Sequence, residues 1–161
     1  SDIKNGMVTV CQDGDNIKMT VGLEQYFFRD DIRYIKKFCK RLDTLDFDSV
    51  LIGGLGIGVI PYYLENYKSK TNIDVVESNP YVVETVLSLI NLKYTNISTS
   101  LFFTYKTDKK YDLILLDLWF DDFLKDWGKT QEFLVSQIKK KFANNLNEGG
   151  RLYIPILDLI I

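Results

Sequence analysis

Six residues, GGLGIG at 53–58, hold four glycines between the apolar run Val50-Leu51-Ile52 and a second apolar stretch that begins at Val59. Glycine at that density lets bare main chain approach something closely, because it has no Cβ and takes positive φ without strain. In folds that alternate strand and helix, a glycine loop followed roughly 20 residues later by an acidic side chain is where a nucleoside-type cofactor meets the backbone. Glu77 stands in that place, after Asp74-Val75-Val76, and one carboxylate can accept both hydroxyls of a ribose. The loop reads Gly54-x-Gly56-x-Gly58. A dinucleotide fingerprint, G-x-G-x-x-G, needs glycine where Val59 stands, and a phosphate loop of Walker type needs a Gly-Lys-Ser/Thr that is absent here. Glycines that serve only strand–helix packing are the plain alternative.

A second group follows the apolar run 113–116. Asp117, Asp121, Asp122 and Asp126 interleave with Trp119, Phe120, Phe123 and Trp127. Carboxylates and aromatic faces both attract cations, so such a rim suits a cationic or aromatic ligand. Asp117 is the candidate to take a proton from an attacking amine or hydroxyl, and Asp121, Asp122 and Trp119 are candidate substrate contacts. Magnesium on Asp117 and Asp121 is short of ligands, because hard cations need about six oxygens, so no metal is expected.

The chain contains no histidine. Ser-His-Asp and Cys-His hydrolysis are excluded, and so are histidine-containing zinc sites. Cys11 and Cys39 form no CxxC pair and read as ordinary buried or half-buried thiols. A formal net charge of −2 supplies no basic field for nucleic acid, which leaves small molecules or proteins as partners. No run approaches the roughly 18 apolar residues of a membrane helix and no secretory pattern opens the chain, so a cytoplasmic location away from membranes is expected.

These residues need a scaffold, and 161 residues with 46% hydrophobic content predict a single domain with one sizeable core. Residues 7–11 and 17–21 alternate apolar and polar around an Asp13-Gly14 turn, which predicts a β-hairpin within a front piece, 1–28, ahead of an α/β core, 29–161. Helical spacing runs over 30–42, 57–67, 80–90 and 130–146, with Asn79-Pro80 as a start signal. Strands are predicted at 49–52, 73–76, 97–103, 111–116 and 151–157. The alternation implies a doubly wound, mainly parallel sheet covered on both faces. Lys139-Lys140-Lys141, beside the stripe Leu134, Ile138, Phe142, Leu146, reads as a solvated helix face.

Four stretches, VLIGGLGIG (50–58), VVESNPYVV (75–83), YDLILLD (111–117) and LNEGGRL (146–152), resemble the class I S-adenosylmethionine-dependent methyltransferases, and within them the spermidine-synthase-like proteins. The resemblance implies a Rossmann-like methyltransferase fold. It also implies a cofactor, S-adenosylmethionine or its decarboxylated form, held by Gly53, Gly54, Gly56 and Gly58 at the methionine part and by Glu77 and Ser78 at the ribose. Ser100 stands where the family places an acid that reads the adenine amino group. The front hairpin extends the likeness to the polyamine branch, with Asp13-Gly14, Thr20 and Tyr26 or Phe27 in place; Tyr26 is a candidate substrate contact. Lys18 replaces a glutamine of that branch, Leu23-Glu24 replaces Asp-Glu, and of the Asp-Ser-x-Asp-Pro loop only Asp117 matches.

Three functions follow as expectations: methyl transfer to a small molecule, an amine among the candidates; aminopropyl transfer from decarboxylated S-adenosylmethionine to a diamine; or binding without catalysis. The terminal helix and strands usual in this fold have no counterpart after residue 157. Ile154, Ile156, Leu157, Leu159, Ile160 and Ile161 would then form an open apolar edge, for which a homodimer is expected.

Overall fold

A computed structural model of the chain describes residues 2–5, 7–117 and 131–161, with side chains from residue 7 onward. The predicted hairpin is present as β2 (Val8–Asp13) and β3 (Asn16–Val21), joined by a two-residue turn in which Gly14 takes φ +58°. It is half of a four-stranded antiparallel sheet, ordered β1-β2-β3-β4, completed by β1 (Asp2–Asn5) and β4 (Glu24–Arg29). Sequence alternation misses β4 because Phe27 puts an aromatic ring on its outward side, beside the inward Phe28.

The second sheet has six strands in the order β10-β9-β8-β5-β6-β7. Its parallel members are β5 (Ser49–Gly53), β6 (Asn72–Glu77), β7 (Thr95–Thr99), β8 (Tyr111–Leu116) and β9 (Leu146–Ile154). Helices α1 (Ile32–Cys39), α2 (Val59–Tyr67), α3 (Pro80–Leu89) and α4 (Gln131–Phe142) lie within the predicted spans, but α4 stops short of 146, because the chain leaves it by a 3₁₀ turn and Leu146 enters a strand. Asp31 and Asn79 cap α1 and α3 by accepting the N–H groups of Arg33 and Tyr81. The predicted helix at 30–42 stops earlier and finishes in a 3₁₀ turn, Lys40–Thr44.

Alternate residues of the central strands feed two cores. Val50, Ile52, Leu113 and Leu115 pack with α1, α2, α3 and, from the front sheet, Val8, Val10, Ile17, Met19 and Phe28. Leu51, Ile114 and Leu116 pack with Leu134, Ile138 and Phe142 of α4. The front sheet therefore shares a core with the α/β part. Lys139 and Lys140 are solvated as expected, but Lys141 is half-buried and donates to the Tyr105 carbonyl at 3.0 Å.

The C-terminal region departs most from expectation. β9 begins at Leu146 rather than 151, because Gly149, at φ +76°, lets the chain bulge while it stays paired with β8. Gly150 passes so close that an added Cβ would stand 2.8 Å from the Asn147 carbonyl oxygen. After a 3₁₀ turn at Pro155–Leu157, β10 (Leu159–Ile160) runs back antiparallel to β9, and Leu152 and Ile161 exchange N–H···O bonds of 3.0 and 2.8 Å. The β9 edge expected to lie open is therefore covered by the chain itself. Of the residues expected there, Ile154 is buried and Ile156 is 43% exposed.

Candidate functional site

β5 and β8 are hydrogen-bonded neighbours, yet one leads by α2 to β6 on one side while the other continues to β9 on the opposite side. At such a reversal the loops above the carboxyl ends diverge and leave a crevice. The exit of β5 is clasped from both sides: Gly54 N–H donates to the Val76 carbonyl at 2.8 Å, and Asp117 N–H donates to that of Gly53 at 2.9 Å. Gly54 and Gly56 hold φ +93° and +54°, values that favour glycine. The loop ends at Gly58, φ +84°, which caps α2.

A crevice of about 680 Å³ opens there, within the range of small-molecule sites. Gly54, Gly56, Glu77, Ser78, Asp117 and Tyr26 all line it. The sequence prediction thus converges for those six. Gly53 and Gly58 lie behind the surface: a Cβ on Gly53 would meet the Phe102 ring at 2.8 Å, and one on Gly58 would meet Val86 at 3.1 Å. Their role is the packing one. Ser100 is absent from the lining; its hydroxyl donates to the Leu101 carbonyl at 3.2 Å. Trp119, Asp121 and Asp122 lie outside the described residues.

Glu77 does more than the sequence indicates. One carboxylate oxygen accepts the N–H of Leu55 at 3.1 Å and the other that of Asn79 at 2.8 Å, so it joins the glycine loop to the start of α3. Each oxygen keeps acceptor capacity for a ligand hydroxyl. Asp117 presents an exposed edge to the crevice, but the protein crowding its remaining sides strips its hydration and pushes its carboxyl up to about 6. Asp112, five residues earlier, is spent on structure: it accepts from the N–H groups of Asp48 and Ser49 and from Asn147.

Sequence reasoning missed the walls supplied by Glu24, Phe38, Leu101, Phe103, Pro155 and Ile156. These come from four separate segments, and only folding brings them together. Glu24, Glu77 and Asp117 are the charged side chains among the described lining residues. None of these three carboxylates has a basic partner among the described residues, an arrangement that repels phosphate and favours a cationic ligand. The thiols divide differently from expectation: Cys11 is exposed on β2, whereas burial, with Asp117 and Asp43 adding to it, pushes the Cys39 thiol up to about 12. Cys39 is consequently not a nucleophile. Among the described residues no group of three or more Cys, Asp and Glu side chains is placed to hold a metal ion.

No family model and no curated protein matches the chain. Solved structures do. Coclaurine N-methyltransferase bound to N-methylheliamine and SAH superposes with a TM-score of 0.56 at 20% identity, covering 76% of this chain and 34% of that one. DesVI of Streptomyces venezuelae gives 0.54 at 17%, covering 75% and 50%. The glycopeptide N-methyltransferase MtfA gives 0.53 at 12%, covering 76% and 51%. This chain spans a third to a half of those proteins' length. At such identities the likeness is one of fold, and the fold is the Rossmann-like one of methyltransferases.

Proposed function

We propose that the crevice binds S-adenosylmethionine and that the protein transfers its methyl group to a small molecule. The observation that carries this reading is the meeting of Gly54, Gly56, Glu77 and Ser78 in one crevice at the sheet's reversal, with Asp117 on its rim. The donor set suits that cofactor. A side chain on Gly56 would come within 3.3 Å of the Tyr26 ring and fill the cradle. Glu77 can take ribose hydroxyls, and the three carboxylates among the described lining residues favour a sulfonium. Leu101, Phe102 and Phe103 supply apolar walls for the adenine, in place of the acid for which Ser100 stands in the family pattern. The fold of the N-methyltransferases named above supports the same reading.

When bound, the cofactor supplies an electrophilic methyl. The chain's own work is alignment, worth up to about 7–11 kcal/mol, and removal of the acceptor's proton by Asp117, worth typically about 10²–10⁴-fold. The spermidine-synthase-like assignment rests on the sequence stretches and the front strands. Aminopropyl transfer draws no support from those neighbours. A homodimer and a cytoplasmic location stay part of the proposal; with β9 covered, two copies would join through β10 or the outer edge of β7, and sedimentation equilibrium reads the mass.

Titration calorimetry with S-adenosylmethionine and S-adenosylhomocysteine tests the cofactor site. Saturable heat is expected from both, weakened tenfold or more by Glu77→Gln. No heat at millimolar ligand would end the reading. Binding without turnover on any amine or hydroxyl acceptor would instead favour a protein that keeps the fold and binds without catalysis.

A further inference from the structure

A second cavity, of about 280 Å³, adjoins the crevice on its front side, between β4, α1 and α2. Tyr26, Phe38, Gly56, Asp117 and Pro155 line both spaces, so the two meet at Asp117. Beyond that junction the lining is mostly apolar, through Phe27, Leu42, Ile57 and Ile60, with Gln25 as its neutral amide and Tyr34 and Tyr153 as its phenols. The polar groups near its mouth are partly committed: Tyr34 donates to the Phe27 carbonyl at 2.9 Å, and Tyr26 to Glu24 at 2.6 Å. Asp117 is the one charged side chain among the described residues that line it.

We infer, on the premise that the crevice holds the methyl donor, that this second cavity seats the acceptor, and that the acceptor is a monoamine with a compact apolar body. The nitrogen lies against Asp117, where the two spaces meet. The body lies among Phe27, Tyr34, Leu42 and Ile60. An apolar cavity of about 150 Å³ is enough for benzene, so this one admits one ring with a short arm. A diamine is disfavoured because its second ammonium would sit among Ile57, Ile60 and Leu42, where no described residue offers a counter-charge, and an unpaired buried charge is costly. An apolar carboxylate is disfavoured by repulsion from Asp117.

The test measures binding of 2-phenylethylamine, 1,4-diaminobutane and 3-phenylpropionate at pH 8, with and without S-adenosylhomocysteine. The amine with one ring is expected to bind at least tenfold tighter than either comparison ligand. Phe27→Ala, at a position 50% exposed and confined to this cavity, should weaken it about fivefold and leave S-adenosylhomocysteine binding unchanged. Asp117→Asn should abolish the preference for amine over carboxylate. Equal or tighter binding of the diamine or the carboxylate, or no effect of Phe27→Ala, overturns the inference. The outcomes separate the two readings: S-adenosylhomocysteine bound and the monoamine not bound removes the acceptor alone, whereas the reverse removes the methyl donor and leaves the amine site standing.

Discussion

Asp117 and Glu77 are both strand-end carboxylates, yet their surroundings give them different work. Glu77 is held by two backbone N–H groups and acts as a fixed acceptor. Asp117 keeps an exposed edge, and the protein crowding its other sides raises its carboxyl to about 6. Its raised value also has a consequence for stability. Below about pH 4 the carboxyl is protonated folded and unfolded, and shielding costs nothing; as pH rises the unfolded chain ionises first, and the penalty is complete above about pH 6. Asp117→Asn is therefore expected to be more stable than the parent at pH 7, with the gain gone at pH 4, as urea midpoints at the two values will read. Under the proposed methyl transfer, the parent rate is expected to rise through pH 6 and this variant to lose that rise, as a pH–rate profile will read.

The β5–α2 connection shows what an element asks of its residues. All four glycines stand in one motif, but Gly54 and Gly56 face the crevice while Gly53 and Gly58 allow close packing behind it. Gly53→Ala drives a methyl into the Phe102 ring and should cost about 1–3 kcal/mol by thermal unfolding. Adding Phe102→Leu should recover part of that loss, because the two positions touch and their effects couple. β10 makes a complementary point. Its two residues satisfy backbone groups at the β9 edge, a local closure invisible to any pattern reading because two residues carry no periodicity.

Across the whole molecule, the front sheet and the α/β part share a core, in which Met19, Val8, Val10 and Phe28 pack with Ile52 and Leu115, so the two are expected to unfold together. Met19 is fully buried, so Met19→Ala should cost about 2–5 kcal/mol and lower one common transition. Near- and far-UV circular dichroism should follow coincident curves, and two separated transitions would show the front sheet to be independent. The front sheet also completes the site, since Glu24, Tyr26 and Phe27 of β4 wall its two spaces.

The sequence by itself determined what is written in local order. Continuous apolar runs mark doubly covered strands, Asn79-Pro80 marks a helix start, and the glycine loop with Glu77 marks where bare backbone opens on a crevice, since strand, turn and acid are neighbours along the chain. What tertiary structure alone decided is which of those residues face the crevice and what stands opposite them. Gly53 and Gly58 turned inward because Phe102 and Val86 lie against them. Glu77 gained backbone partners, Ser100 turned to Leu101, and β10 closed an edge that sequence left open. The second cavity exists only because β4, α1 and α2 converge on Asp117 from segments far apart in the chain, and long-range packing of that kind leaves no periodic trace in a single sequence.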